Sequence, residues 1–357
     1  MLPAEPVTPR RQWPGFISRP APTAGGIKEF QLKKRKLGKD GPEIAAIGLG
    51  CMGMAGWYGE RNNERSLATL DRALDLGVDM FDTADAYGRG ENEEFLGEWL
   101  KGKRSRVFLA TKCGFTGAGA GTIDGRPEYV LNACDSSLKR LGVDVIDLYY
   151  LHRVDRNVPI EDTMGAFAQL RDAGKIRYVG LSEASTESME RAVKVVPIAA
   201  LQSELSLWTR DNEAHQLPKT RELGIAFVAY SPLGRGMLSG VIKAMNDLPE
   251  GDIRFAQPRF AEGNFEKNQD LVTRVAEVAK AKGCTAAQLA IAWCFDRADN
   301  IIPLPGTQHP DYLEDNIAAI GIEDLSDDER KVLDEIMPPG AAAGGRYGEK
   351  MMAIVNA

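Results

Sequence analysis

The chain has 357 residues, 43% of them hydrophobic and 27% charged, the balance of a globular protein, and no apolar run reaches the roughly 18 residues that a membrane-spanning helix needs. Its formal net charge of -7 argues against a nucleic-acid-binding surface, because a phosphate backbone demands clustered Lys and Arg. Five cysteines, Cys51, Cys113, Cys134, Cys284 and Cys294, are odd in number and never spaced as CxxC, and the three histidines, His152, His215 and His309, build an all-His site only where distant loops converge; neither a disulfide framework nor a bound metal is expected, and a reducing cytoplasm fits best.

Residues 1–32 carry Pro3, Pro6, Pro9, Pro14, Pro20 and Pro22 without periodicity and predict a weakly ordered arm. Arg10-Arg11 suggests twin-arginine export, but no apolar stretch follows it. From residue 33 to 357 a single folding unit is expected. Runs 34–37 and 44–47 flank Gly38-Lys39-Asp40-Gly41-Pro42 and predict an antiparallel hairpin.

A rhythm then sets in. Short apolar runs at 44–50, 78–82, 107–112, 145–152, 176–182, 198–202, 225–231 and 301–305 alternate with helical segments at 63–76, 91–101, 128–141, 160–173, 186–195 and 212–223. Strand and helix in alternation imply parallel pairing. Thr285-Ala286-Ala287-Gln288 and Ser326-Asp327-Asp328-Glu329 have the spacing of capping boxes and open two further helices. The Gly- and Ala-rich stretch from Pro338 reads as a tail folded over the surface.

Eight such units can form an open sheet or a closed (β/α)8 barrel. Asp82, Lys112, His152, Ser182, Gln202 and Ser231 all fall at the C-terminal ends of successive runs, which a barrel gathers into one ring at its catalytic mouth and an open sheet scatters. Gly48-Leu49-Gly50-Cys51-Met52-Gly53 satisfies GxGxxG, but a loop-like segment follows where a dinucleotide fingerprint needs a helix.

Singly, Asp82 is a turn residue, Tyr87 packing, Lys112 a surface charge and His152 a core histidine; together, at the mouth ends of three consecutive strands, they are hard to dismiss. Phe81–Gly88, Ala110-Thr111-Lys112, Leu151-His152, Gly180-Leu181-Ser182-Glu183, Tyr230-Ser231-Pro232-Leu233-Gly234-Arg235-Gly236 and Pro305-Gly306-Thr307 resemble, in order and type, the aldo-keto reductase superfamily, from residue 34 onward. The Ser182-Glu183 and Trp208-Thr209-Arg210 variants are similar to the bacterial and plant branch of perakine reductase and pyridoxal reductase.

That resemblance implies an oxidoreductase that interconverts carbonyls and alcohols by hydride transfer, with Asp82, Tyr87, Lys112 and His152 as its tetrad. Tyr87 would be the proton donor, its pKa drawn down by the Lys112 ammonium; Asp82 would hold Lys112, and His152 would position the carbonyl oxygen. It implies NADPH, with NADH left open, near the following residues. Cys51, Met52 and Asp82 would lie on the nicotinamide side, with Ser182, Glu183 and Gln202 at the carboxamide and Tyr230 stacked on the ring. Ser231, Pro232, Leu233, Gly234, Arg235 and Gly236 would meet the pyrophosphate together with Gly306 and Thr307, and Asp315 and Asn316 would face the adenine. Glu183 stands where many members have Asn, and Gln308 and Tyr312 stand where many have basic residues for the 2′-phosphate. Trp57, Tyr58, Phe115, Arg153 and Trp208 follow strand ends and are expected to line a pocket for a small carbonyl compound. The rival reading is a nucleotide-sensing binding protein of the same fold, like the potassium-channel β subunits.

Overall fold

The computed structural model describes residues 32–117 and 122–355, and the arm expected over residues 1–32 lies outside them except for Leu32, which is buried. Two short strands, β1 (Lys34–Lys36) and β2 (Glu43–Ala45), pair antiparallel as a hairpin. The run at 44–50 is therefore divided: its start belongs to the hairpin and its end, Leu49–Gly50, is the first barrel strand β3.

Seven more strands follow: β4 (Met80–Asp82), β5 (Phe108–Cys113), β6 (Ile146–Leu151), β7 (Ile176–Ser182), β8 (Ile198–Glu204), β9 (Ala226–Tyr230) and β10 (Ile301–Leu304). Each pairs in parallel with its neighbours in chain order. The seam between β3 and β10 is closed by Gly48 N–H donating to Pro303 O and Gly50 N–H to Pro305 O, both at 3.0 Å. A side chain at Gly306 would bring its Cβ to 2.9 Å from Gly50 O, so the seam closes only because glycine stands there. The result is the closed eight-stranded barrel.

Crossover helices α1 (Asn63–Asp75), α2 (Glu91–Leu100), α3 (Pro127–Leu141), α4 (Ile160–Asp172), α5 (Thr186–Ala192) and α6 (Gln216–Leu223) surround it. The last begins four residues after the expected 212. Between β9 and β10 lie α7 (Asn264–Lys282) and α8 (Ala286–Arg297), the second opened by the Thr285–Gln288 capping box. Helices α9 (Pro310–Ala318), α10 (Asp327–Ile336), with its Ser326–Glu329 box, and α11 (Glu349–Met352) complete the chain.

Two apolar layers result. Buried residues between strands and helices form the outer core. Met80, Ala110, Leu148, Tyr150, Ala200, Val228 and Ile302 fill the barrel interior, and Leu37 and Ile44 of the hairpin join that cluster. Lys39 N–H also donates to Gly224 O, just before β9, at 2.7 Å. The hairpin thus plugs the N-terminal end of the barrel and leaves the C-terminal end to carry the site, where barrels place their chemistry.

Candidate active site

Asp82 ends β4 and Lys112 is the penultimate residue of β5; pleating turns both into the barrel. Lys112 is fully buried and its Nζ is ion-paired with Asp82 Oδ1. The ammonium also donates to Thr83 O at 2.8 Å and to Tyr87 Oη at 3.4 Å, while Gln202 Nε2 donates to the second Asp82 oxygen at 2.8 Å. Tyr87 opens a short turn (Tyr87–Gly90) that its own N–H anchors to Ala84 O, and Asp85 N–H ties the same loop to Lys112 O. His152, one residue past β6, donates its N–H to Cys113 O at 2.7 Å; its ring lies edge-on to Tyr87 with centroids 5.9 Å apart. The four expected residues therefore meet.

Burial governs their electrostatics. It lowers Lys112 and raises Asp82, and each partner's charge opposes the shift in the other. His152 is held well below the usual histidine range by burial, then by Lys112 and Arg153, so the imidazole is neutral. Tyr87 differs from expectation: burial first and the Asp82 carboxylate second hold its phenol well above its ordinary value, with Arg153 opposing. Desolvation of a phenolate outweighs the nearby ammonium, whose charge Asp82 already satisfies.

Around the next three strand ends stands a buried charge network. Glu183, after β7, has φ 50° and is fully buried. Its Oε1 accepts from Glu204 N–H at 3.0 Å, Tyr230 Oη–H at 2.8 Å and Arg346 Nη2 at 2.5 Å. Glu204, at the end of β8, faces Arg235 at 3.4 Å, Arg346 at 3.5 Å and Arg259 at 3.6 Å. Burial works to raise the Glu204 carboxyl, yet Arg346, Arg235 and Arg259 together hold it below the usual range. Three guanidinium groups against two carboxylates leave a positive excess. Beside them, Ser231 and Arg235 also adopt positive φ (50° and 58°), and the loop 233–236 turns through Gly234 and Gly236. A Cβ on Gly234 would lie 2.5 Å from the Trp208 ring.

The residues of this site fit an anionic dinucleotide. The charge excess calls for an anion, and Ser203 Oγ, Glu183 Oε2 and Arg346 Nε are buried without hydrogen-bond partners among the described residues. Ser182, Gln202, Tyr230, Pro232, Leu233 and the 233–236 loop lie at this end of the barrel, with Gly306 and Thr307 across the seam. Thr307 Oγ1 accepts from His309 N–H at 3.0 Å.

The α9 side is arranged differently. Gln308 Nε2 donates to Glu60 O at 3.2 Å and Tyr312 is exposed, its ring 5.0 Å from that of His309. Asp315 accepts from Thr285 Oγ1 at 2.9 Å and Gln288 Nε2 at 2.8 Å, which ties α9 to the start of α8, and Asn316 is buried. On the tetrad side Cys51 is buried, with its N–H on Asp82 O, and Met52 opens the short turn Met52–Ala55.

Of the expected pocket residues, Trp57 stacks edge-on to Tyr87 with centroids 6.1 Å apart and Phe115 packs 4.7 Å from His152. Arg153 is buried, with its guanidinium 5.8 Å from the Phe115 ring centroid. Tyr58 lies under Arg254, 5.0 Å away, and Trp208 under Arg259, also 5.0 Å away, on the side of the charge network.

Residues that the sequence reading missed come mainly from the tail. Ala343 exchanges two hydrogen bonds with Asn268, Arg346 enters the network, and Tyr347 Oη shares a 2.8 Å hydrogen bond with Tyr230 Oη. The segment after Pro338 is therefore part of the mouth and not a surface cover. Glu204 had a signal in its position two residues beyond Gln202; Arg346 had none.

A description of the Aldo/keto reductase family matches residues 46–338. The chain is 43% identical over 326 residues to Aldo-keto reductase yakc [NADP(+)] of Schizosaccharomyces pombe, covering 89% of this chain and 95% of that one. It is 42% identical over 325 residues to Probable aldo-keto reductase 1 of Glycine max, covering 90% and 93%. Among solved structures it resembles the glycerol dehydrogenase of Gluconobacter oxydans, with TM-score 0.75, 29% identity and coverage of 87% and 95%. It also resembles an aldo-keto reductase of Bacillus halodurans in its holo form, with TM-score 0.71, 29% identity and coverage of 90% and 100%.

Proposed function

The chain belongs to the aldo/keto reductase family, and from that premise we propose that it reduces small aldehydes or ketones with NADPH, using Tyr87 as the proton donor. It is an oxidoreductase with a nicotinamide cofactor and a small carbonyl substrate; the finer reading rests on the Asp82–Lys112–Tyr87 chain of contacts. NADPH is supported by the name of the Schizosaccharomyces pombe relative, which specifies NADP(+); the positive excess among Glu183, Glu204, Arg235, Arg259 and Arg346 suits the pyrophosphate of a nicotinamide dinucleotide. Five unpaired thiols accord with a cytoplasmic location.

When bound, the reduced nicotinamide supplies a hydride to the carbonyl carbon. The carbonyl oxygen then needs a proton. Tyr87 keeps its proton at neutral pH, because burial and Asp82 oppose ionisation, so the acid form is fully populated. As that proton leaves for the nascent alkoxide, the phenolate is stabilised by the Lys112 ammonium, itself held by Asp82 and by Thr83 O. Neutral His152 orients the carbonyl oxygen beside Tyr87 by donating from its imidazole.

Tyr87→Phe tests this. Carbonyl reduction, followed by loss of reduced-nicotinamide absorbance, should fall by about 10²–10⁴-fold, with NADPH affinity by fluorescence nearly unchanged. Comparable turnover in the variant removes Tyr87 from the role. Tight NADPH binding by the wild type with no turnover of any carbonyl replaces the reductase reading with a nucleotide-sensing one.

A further inference from the structure

Four arginines are buried among the described residues: Arg153, Arg210, Arg259 and Arg346. Three face carboxylates, Arg210 with Asp334 at 2.7 Å, Arg259 with Glu204 at 3.6 Å and Arg346 with Glu183 at 2.5 Å. Arg153 is 4% exposed, yet no described carboxylate comes within 4.0 Å of it. Its Nη1 donates to two neutral oxygens, His152 O at 2.6 Å and Ser182 Oγ at 3.1 Å, and its Nε is buried without a partner.

Taking a guanidinium out of water without a counter-ion is costly, and such a charge is retained where something anionic meets it. Arg153 does stay charged: burial works against it and Arg346 repels it, Glu183 works for it, and the balance lies above the ordinary arginine value.

Position indicates which anion. Arg153 follows His152 in the chain, its guanidinium lies 5.8 Å from the Phe115 ring centroid, and Phe115 packs 4.7 Å from His152, whose other neighbour is Tyr87. The group therefore borders the space in front of the tetrad. A second group of cations, Arg235, Arg259 and Arg346, past β8 and β9, is gathered on Glu204 and is the one suited to a cofactor's phosphates.

We propose that Arg153 is a specificity-determining residue that receives an anionic group, a carboxylate or a phosphate, carried by the carbonyl substrate. This rests on the reading that carbonyls are reduced at Tyr87. A charge-assisted pair with a guanidinium in a desolvated site is worth about ten- to hundredfold in affinity.

The test is a set of matched substrates: succinic semialdehyde against butanal, 4-carboxybenzaldehyde against 4-methylbenzaldehyde, and glyceraldehyde 3-phosphate against glyceraldehyde. For the wild type, kcat/KM for the anionic member of at least one pair should exceed that of its neutral partner by about tenfold or more. The carboxylate and phosphate pairs distinguish the two anions. Arg153→Met should erase that ratio, mainly through KM, and Arg153→Lys should restore part of it. Equal ratios in wild type and Arg153→Met overturn the proposal. So does a loss of NADPH affinity in Arg153→Met with unchanged ratios, which makes Arg153 a cofactor ligand.

Should Arg153→Met not fold, as read by circular dichroism, benzoate and inorganic phosphate are tested on the wild type against the neutral aldehydes. Competitive inhibition that weakens with added salt supports the site, and its absence overturns it. If the wild type reduces no carbonyl, the reductase reading fails separately, and benzoate titration of the NADP+-loaded wild type and Arg153→Met still decides the role of Arg153.

Discussion

Arg346 donates from Nη2 to Glu183 Oε1 at 2.5 Å, joining the C-terminal segment to the loop after β7 across 163 positions of sequence, with both side chains buried. The resembled family often carries Asn at the place of Glu183. A carboxylate is accommodated there because the tail supplies its counter-ion, and Gly344 lets the tail come close: a Cβ at that residue would lie 2.6 Å from Pro258 O.

Removing one member of such a pair leaves the other buried and uncompensated. Arg346→Met is expected to cost about 3–5 kcal/mol of stability, read by urea denaturation. Adding Glu183→Gln removes the orphaned charge and should recover about 1–3 kcal/mol. Strictly additive losses would mean that the two residues are not coupled.

A pH effect on stability follows from Asp85, in the loop between Asp82 and Tyr87. Burial, then the Glu93 carboxylate, push its carboxyl up to about 8, and its Oδ1 has no hydrogen-bond partner among the described residues. The unfolded value is about 3.9. With the folded pKa raised, the unfolded chain loses this proton first. The resulting destabilisation is absent below about pH 4, grows as pH rises, and is complete above about 8. Asp85→Asn should therefore raise Tm more at pH 8 than at pH 5, measured by scanning fluorimetry. An equal gain at both pH values would show that the carboxyl ionises normally.

The rate of reduction should behave otherwise. Tyr87 lies above its ordinary phenol value and His152 below its ordinary imidazole value, so neither changes charge near neutrality. We expect kcat/KM for carbonyl reduction to stay level from about pH 6 to pH 9, where the reference values of about 6.5 and 10 would give limbs at the edges. A limb centred near pH 7 would assign the proton to another group. Lys112→Met should lower turnover by about a hundredfold or more, with little change in cofactor affinity.

Cofactor preference is tested at α9. Gln308 is tied to Glu60 O and Tyr312 is exposed; neither offers a charged donor. Gln308→Arg with Tyr312→Arg should tighten NADPH relative to NADH by about tenfold, the effect of one charge-assisted contact, in fluorescence titrations of both cofactors. An unchanged ratio would locate the 2′-phosphate at the Arg235 and Arg259 cluster instead.

What the sequence determined by itself was local or periodic. Alternation of apolar runs and helical segments sufficed for eight parallel strands, because hydrophobic period and capping are properties of contiguous residues. The same logic put Asp82, Lys112 and His152 on one rim, since strand ends in a barrel share a face. Only the tertiary structure decided contacts between residues far apart in the chain. These include the glycine seam of Gly50 and Gly306, the division of the run at 44–50 between hairpin and barrel, and the entry of Arg346 and Tyr347 into the mouth. The direction of the Tyr87 shift belongs here as well. It depends on how fully the fold withdraws the phenol from water, a quantity that no local pattern of residues carries.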